Sequence, residues 1–193
     1  MFEELKISIK NSPLQLAQLL PNVRLISEQS RYCPSFTDPT YIAAFYQLGK
    51  FIKPDSVLEI GFGLGLKAAC FLLSSTVKNY KAYQFESEIF YFQRLGIVNV
   101  KAVWDGLLDL QVIKTIDQVD RSKLYDAVFI NDQDRDFKSI LEVSWDLLSK
   151  EGLLIVDYIN SSVRNQTFIT FCQAKNREFD LFETRYGLGI VRK

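Results

Sequence analysis

Glycines at three alternate positions are the feature of this sequence with the clearest chemical meaning. They follow a short apolar segment in the stretch EIGFGLG, at Gly61, Gly63 and Gly65, and the acid Glu59 stands two residues before the first of them. Glycine adopts left-handed backbone conformations and carries no Cβ, so such a turn lets the backbone approach a bound molecule closely. One glycine would fit an ordinary turn between a strand and a helix, but three predict a cofactor site.

Polar residues also follow the later apolar segments. Glu86, Asp105, the pair Asn131 and Asp132, and Asp157 each come directly after one. Ligands of open α/β sheets bind beyond the carboxyl ends of the strands. Glu86 comes about twenty residues after the glycine turn, where a carboxylate can accept hydrogen bonds from both ribose hydroxyls of a cofactor. The spacing therefore predicts one ligand site at the carboxyl ends of the strands.

Alternating strands and helices must position these residues. Five strands separated by helices predict βαβ units and a parallel sheet, and two final strands with no helix between them predict an antiparallel hairpin. The fold class is α/β: a Rossmann-like, doubly wound, mostly parallel seven-stranded sheet with a C-terminal antiparallel hairpin and helices on both faces. The strands are expected at Val57–Ile60, Lys81–Phe85, Val98–Trp104, Asp126–Ile130, Leu153–Asp157, Asp180–Glu183 and Gly187–Arg192, and the helices from Ser12, at Pro39–Phe51, at Leu66–Ser74, from Ser87 to Gly96, at Leu107–Ile116, from Phe137 to Leu148 and at Val163–Gln173.

The spacing of the glycines separates two classes of cofactor. A dinucleotide fingerprint has a glycine at the sixth position, where this chain has Leu66. The pattern found here, G-x-G-x-G after an acid, resembles motif I of the class I S-adenosylmethionine-dependent methyltransferases. The resemblance implies that the amino-acid end of the cofactor lies against the glycine turn, with Glu59 and Asn131 in the same site. It also implies that Glu86 holds the ribose and that Asp105 lies near the adenine amino group.

Later segments resemble the small O-methyltransferases related to catechol O-methyltransferase. YDAVFI at 125–130 looks like their fourth strand, LLSKEGLLIVD at 147–157 like their helix, turn and fifth strand, and YGLGIVRK at 186–193 like their final strand. The similarity covers roughly residues 40–193. It implies one methyltransferase domain over 1–193, in which a helical segment at 1–52 covers the substrate side and 53–193 forms the cofactor-binding core.

The metal site of that family is altered in this chain. The relatives hold a divalent cation with an Asp after the fourth strand and an Asp-Asn pair after the fifth, and the metal activates a catechol-like hydroxyl. Here the first position is Asn131 and the pair reads Asp157-Tyr158, so Asp157 alone matches. The family's lysine is replaced by Asp134. The sequence therefore predicts a methyltransferase that needs no metal, although Asp132 or Asp134 leaves a partly restored Mg²⁺ site open.

The catalytic residues expected for metal-free transfer are Asp157 and Asp132. The cofactor carries the activation, and the protein supplies alignment and, for a protonated acceptor, a base. Asp134 and Tyr158 would lie nearby, but they are less favoured as catalytic residues. The partner is expected to be a small-molecule methyl acceptor, O-methylated in preference to N-methylated, and a homodimer that completes the site is left open. Residues expected to cover the acceptor are Arg31, Tyr32, Phe36, Tyr41, Tyr158 and Arg164.

Four other functions stay open. The first is a scaffold protein that keeps the fold but not the chemistry, either with the cofactor or without it. Such a protein would also explain the altered metal and lysine positions. The others are a metal-dependent O-methyltransferase, an RNA methyltransferase and an aminopropyl transferase. The acids after Asn131 fit an aminopropyl transferase loosely, but the glycine turn does not. The Pro-Pro-aromatic signature of nucleic-acid amino methylation is absent after Asn131.

Composition narrows the chemistry and the location. The 193 residues contain no histidine, which removes the imidazole base and any Ser-His or Cys-His pair. Lys+Arg and Asp+Glu number 23 each, so no overall positive field attracts nucleic acid. Three widely spaced cysteines indicate reduced thiols, and the start resembles no signal peptide. The most apolar window, with Glu59 and Lys67, is too charged to span a bilayer. We therefore expect a cytoplasmic protein without a membrane partner.

Overall fold

The computed structural model describes residues 2–11, 38–86, 90–132 and 136–193. The helix predicted from Ser12 and the beginning of the one predicted from Ser87 lie outside these ranges. The described residues form two compact units. The first takes its residues from Met1–Pro54, Gly63–Val77 and Ile89–Gly106, and the second from Asp55–Phe62, Lys78–Glu88 and Leu107–Lys193.

The first unit is helical. The Asp38 side chain accepts a hydrogen bond from the Thr40 nitrogen at 2.8 Å, and Pro39 follows at the first position, so the second helix begins where the sequence predicts. Gly49 of that helix packs against the Phe71 carbonyl of the third helix, an approach that leaves no room for a Cβ. The helices are α1 Glu3–Asn11, α2 Pro39–Ile52, α3 Leu66–Leu72 and α4 Phe90–Lys101. Sequence analysis did not predict α1.

The second unit contains a seven-stranded sheet in the order β3-β2-β1-β4-β5-β7-β6. Strands β1 to β5 pair in parallel, whereas β7 pairs antiparallel with both β5 and β6. The predicted fold class, with its closing antiparallel hairpin, is therefore confirmed. The strands are β1 Ser56–Ile60, β2 Asn79–Phe85, β3 Leu107–Ile113, β4 Tyr125–Ile130, β5 Leu148–Asp157, β6 Phe179–Phe182 and β7 Leu188–Arg192.

Two helices of the second unit complete its core. They are α5 Phe137–Asp146 and α6 Ser162–Ala174. The apolar face that the sequence predicts for α5 is buried, and the Trp145 ring of that helix meets the Phe171 ring of α6 edge to face at 5.6 Å between centroids. Strands β1, β4 and β5 contribute residues such as Leu58, Val128 and Leu154 to the same core. Burial of these apolar surfaces is the main stabilising contribution to the unit.

The region between residues 98 and 116 was predicted wrongly. The strand expected at Val98–Trp104 is the end of α4, followed by a turn, and the helix expected at Leu107–Ile116 is strand β3. Gly96 does not end α4, since a glycine inside a helix costs only about 1 kcal/mol. The third strand lies at the sheet edge, where Leu107 is 70% exposed and Val112 is 51% exposed, so it lacks the continuous apolar pattern of a central strand. One 3₁₀ turn, Ile116–Gln118, stands where a helix usually follows such a strand.

No helix in the described ranges is long and apolar enough to cross a membrane.

Candidate functional site

Parallel pairing brings the ends of four strands to one edge of the sheet. The order β2-β1-β4-β5 makes these strands immediate neighbours, and parallel strands share their carboxyl-terminal edge. Ladder-like hydrogen bonds continue past the strands, with the Gly61 nitrogen 2.9 Å from the Tyr83 oxygen and the Asn131 nitrogen 2.8 Å from the Ile60 oxygen. The residues that end or follow the four strands are Glu86, Gly61, Asn131 and Asp157.

The glycine turn has left-handed backbone at all three glycines, with φ of +93° at Gly61, +52° at Gly63 and +62° at Gly65. A Cβ on Gly61 would lie 2.8 Å from the backbone nitrogen of Asp132, so only glycine fits there. At Gly63 a Cβ would meet no described atom within 4 Å. The close approach at Gly61 is thus to the backbone after β4, and the role of the turn in binding a cofactor stays a prediction.

Glu59 is 1% exposed and lies in the middle of a hydrogen-bonded row across three strands. Its Oε2 accepts from the hydroxyl of Tyr80, on β2, at 2.8 Å, and its Oε1 accepts from the Nδ2 of Asn131, after β4. Burial, and then the neighbouring Glu59 charge, raise the pKa of Tyr80 well above its ordinary value, so Tyr80 is a neutral donor. Sequence analysis missed Tyr80, and it placed Glu59 in the cofactor site without seeing that its two oxygens are held by protein groups.

Asn131 is the residue of this row nearest the sheet edge. It is 8% exposed, and its Oδ1 is buried with no hydrogen-bond partner among the described residues. Burying a carbonyl oxygen without a hydrogen bond costs about 1–3 kcal/mol of folding free energy unless a ligand or water supplies a donor. Asn131 therefore presents an acceptor beside the glycine turn.

Glu86 is exposed and lies immediately after β2. Its nitrogen donates to the Ile113 oxygen at 2.9 Å, and one carboxylate oxygen lies 3.7 Å from the Lys114 Nζ, so Glu86 lies beside the end of β3. A cavity of about 680 Å³ lies next to this point. Its lining includes Phe85, Lys114, Thr115, Asp136 and Ser139.

Asp105 was predicted at the carboxyl end of the third strand, and this prediction is wrong. The residue lies after α4 and two positions before β3 begins at Leu107, so it precedes the strand. The error follows from the misplaced strand at 98–104. Lys114 and Thr115 are the residues that follow β3, and they line the cavity beside Glu86.

Asp157 is the last residue of β5 and is 1% exposed. Its Oδ1 accepts from the Tyr158 nitrogen at 2.8 Å, and Tyr158 has a left-handed φ of +61°. Arg164 of α6 donates from Nε to the Tyr158 oxygen at 3.1 Å and lies over the Phe137 ring at 3.9 Å. The Tyr158 ring contacts that of Tyr186 at 5.2 Å between centroids. These contacts fix the loop after β5.

Some of the other residues expected at the acceptor lie in the described ranges, and others lie outside them. Asp132 is described and 4% exposed, next to Asn131, whereas Asp134 lies outside the described residues, as do Arg31, Tyr32 and Phe36. Tyr41 is fully buried in the first unit, edge to face with Phe45 at 5.1 Å between centroids. Tyr158 and Arg164 therefore are the expected acceptor-covering residues that the structure brings to the end of β5.

In the described part of the chain there is neither a cluster of metal-ligand side chains nor a reactive thiol. No group of three or more acidic or cysteine side chains there could hold a metal ion. Burial raises the pKa of Cys70 to about 12 and that of Cys172 to about 12 as well, which keeps both thiols protonated and unreactive. Cys33 lies outside the described residues.

Comparisons with known proteins place the fold. No family model matches the sequence, and no curated protein does. A Staphylococcus aureus protein assigned as a caffeoyl-CoA O-methyltransferase matches over 99% of this chain and 100% of its own, with TM-score 0.71 and 16% identity. A Bacillus cereus O-methyltransferase in complex with SAH covers 98% and 97%, with TM-score 0.69 and 12% identity. The SAH-bound Podospora anserina methyltransferase PaMTH1 covers 100% and 96%, with TM-score 0.67 and 16% identity.

Proposed function

We propose that this chain, which has the fold of the S-adenosylmethionine-dependent O-methyltransferases, is itself such a methyltransferase. It transfers a methyl group to an oxygen of a small molecule and requires no metal. The observation that supports this most is that four neighbouring strands end, at one edge of the sheet, in residues suited to bind the cofactor and an acceptor. These residues are Glu86, Gly61, Asn131 and Asp157.

The described residues fit S-adenosylmethionine. Among the described residues Asn131 Oδ1 is a buried acceptor without a donor, and an amino-acid ammonium group would supply one. Glu86 offers an exposed carboxylate at the end of β2 for the ribose hydroxyls, and the cavity beside it has room for an adenine ring. Gly61 and Asn131 thus support binding at the amino-acid end of the cofactor, and Glu86 supports binding at the ribose.

The bound cofactor would supply an activated methyl group for an in-line displacement. The chain then has to align the acceptor, exclude water and, for a hydroxyl acceptor, accept a proton. Asp157 and Asp132 are carboxylates at the ends of adjacent strands and are the proposed groups for this work. Arg164 and Tyr158 hold the loop beside Asp157 in place.

The residues do not fit the divalent cation of the catechol-type relatives. The position that would carry a carboxylate carries Asn131, whose Nδ2 is directed at Glu59, and the position after Asp157 carries Tyr158. Mg²⁺ takes oxygen donors, and the neutral amide oxygen of Asn131 is a weaker ligand than the carboxylate it replaces, so Asp157 is the carboxylate of the relatives' set that this chain keeps. We therefore assign no step to a metal.

Calorimetric titration tests the proposal. S-adenosylmethionine and S-adenosylhomocysteine are titrated into protein treated with a chelator, and the titrations are repeated with Mg²⁺. We expect micromolar binding that is the same within twofold with and without Mg²⁺, followed by turnover in a screen of phenolic, hydroxyl and amine acceptors with chelator present. Absence of binding in every condition would refute the proposal, and turnover that needs Mg²⁺ would refute its metal-free part.

A second candidate is a protein that binds the cofactor without catalysing transfer. The observation that favours it is the loss of the carboxylate at Asn131, together with Tyr158 after Asp157. This candidate predicts the same calorimetric binding but no methylated product from any acceptor. The acceptor screen therefore separates the two.

A further inference from the structure

We propose that Tyr80 is a positioning residue of the cofactor site. Through Glu59 it holds the Asn131 amide so that Oδ1 is the acceptor for the ammonium group of the bound amino-acid moiety. The inference rests on the proposed function, because the ammonium belongs to S-adenosylmethionine. It assigns a role to Tyr80, and it makes Glu59 a support for Asn131 that does not itself contact the ligand.

Strand register explains why the three side chains meet. Glu59 on β1 pairs with Ala82 on β2 and with Phe129 on β4. Side chains alternate between the faces of a strand, so Tyr80, two residues before Ala82, lies on the face of Glu59. Asn131, two residues beyond Phe129, continues on that face, and its backbone nitrogen is tied to β1 at 2.8 Å. The row therefore crosses three neighbouring strands.

The donors and acceptors along the row set the direction of the amide. The two oxygens of Glu59 accept hydrogen bonds from the Tyr80 hydroxyl and from Asn131 Nδ2. Asn131 must therefore direct its nitrogen to Glu59 and its Oδ1 away from it. The amide cannot reverse without placing two acceptors against each other. Tyr80 contributes by holding the second oxygen of Glu59 and so fixing the plane of the carboxylate.

Packing against Gly61 places this acceptor beside the glycine turn. A Cβ on Gly61 would lie 3.0 Å from the backbone carbon of Asn131, so the two backbones are in contact. The Asn131 side chain is 8% exposed, and its Oδ1 is an unpartnered buried atom among the described residues. An acceptor of this kind selects a ligand that carries a donor at the same place, and an ammonium group carries three.

Two ligands that differ in one group provide the test. They are S-adenosylhomocysteine and its analogue without the α-amino group, each titrated calorimetrically into wild type, Tyr80→Phe and Glu59→Gln. The matched control is Tyr83→Phe, since Tyr83 lies on the same strand and its hydroxyl accepts from the Asp120 nitrogen at 3.0 Å, away from Glu59. Thermal unfolding without ligand reports the stability of each variant.

The expected result is a selective loss. Wild type should prefer the amino ligand by about tenfold or more, and each row variant should lose about threefold or more of this preference, as the strengths of such hydrogen bonds suggest. Affinity for the deaminated analogue should stay within twofold in every variant, and Tyr83→Phe should leave both affinities within twofold. Because Glu59→Gln keeps the shape of the side chain, it tests the row even if Tyr80→Phe is unstable.

Other outcomes overturn the inference in different ways. Equal loss of both ligands in Tyr80→Phe and Glu59→Gln would mean that the row only stabilises the fold. No preference for the amino group in wild type would refute the role of Asn131 while the proposed function stands. Failure of wild type to bind either ligand would refute the proposed function itself.

Discussion

Gly61 and Asp132 are in backbone contact: a Cβ on residue 61 would lie 2.8 Å from the Asp132 nitrogen. The residues belong to the loops after β1 and β4, which are neighbouring strands of the sheet. Gly61 also has φ of +93°, a conformation that side chains with a Cβ rarely adopt. Residue 61 therefore has to be glycine for the fold, apart from any ligand.

The glycine turn yields a paired prediction. Gly61→Ala should destabilise the protein, by about 1–3 kcal/mol for the backbone conformation and more for the clash with Asp132. Gly63→Ala shares the left-handed backbone, with φ of +52°, but its Cβ would meet no described atom within 4 Å, so it should be less destabilising than Gly61→Ala and should also weaken binding of S-adenosylhomocysteine. Urea unfolding and calorimetry measure the two effects. Equal destabilisation by both changes would contradict the assignment of Gly61 to folding and Gly63 to binding.

Glu86 should be needed for binding and not for stability. The residue is exposed, and its pair with Lys114 at 3.7 Å is a surface contact of little energetic worth. Glu86→Ala should reduce affinity for S-adenosylhomocysteine about tenfold to a hundredfold, because hydrogen bonds to a carboxylate are strong. The urea midpoint should not change.

Lys114→Met is the matched control for Glu86, because it removes the ion pair, leaves the carboxylate and keeps the aliphatic part of a side chain that lines the cavity. It should bind S-adenosylhomocysteine within about twofold of wild type. A loss in Lys114→Met equal to that in Glu86→Ala would show that the ion pair matters and not the proposed ribose contact.

The strands that carry the candidate site were predicted from the sequence, whereas the strand at the sheet edge was not. Strands β1, β4 and β5 lie inside the sheet, so they read as apolar runs, and polar residues at their ends mark the site. Strand β3 is an edge strand with exposed Leu107 and Val112, which gave it no such pattern. Asp105 was misplaced as a consequence.

The contact between Tyr80 and Glu59 shows a second limit. The two residues are far apart in sequence and meet because Glu59 pairs with Ala82, a register that spacing along one chain does not reveal. Glu59 could be recognised from its place before the glycines, since that pattern is local. Its partners could not, because a shift of one residue would have turned Tyr80 to the other face of the sheet.

Asp136 should make the stability of the protein depend on pH in acid. It is the N-cap of α5, and hydrogen bonds from the Ser139 hydroxyl at 2.6 Å and the Ser139 nitrogen lower the pKa of its carboxyl. A lowered folded-state pKa contributes stability above the unfolded value, about 3.9, and the contribution is lost as pH falls through the folded value. Asp136→Asn keeps an acceptor and loses the charge, so its urea midpoint should be lower than that of wild type at pH 7.

The difference in urea midpoint between Asp136→Asn and wild type should become smaller as the pH falls from 5 to 3. Asp136→Ala, which also loses the acceptor, should keep part of its deficit at pH 3. A deficit of Asp136→Asn that does not change with pH would contradict the role of the charge.

Substitution of Asp157 and of Asp132 should show which of the two is the base and which supports the site. Asp157→Asn keeps an oxygen for the Tyr158 nitrogen, so the loop should hold and S-adenosylhomocysteine should bind within about twofold of wild type. If Asp157 accepts the proton of a hydroxyl acceptor, kcat at pH 7 should fall about 10²- to 10⁴-fold, measured with the acceptor found by screening.

Asp132→Asn is the comparison, because Asp132 is also buried at a neighbouring strand end. A large loss in Asp132→Asn with little change in Asp157→Asn would assign the base to Asp132. Unchanged kcat in both would show that the acceptor reacts without a protein base, since alignment alone then suffices for transfer.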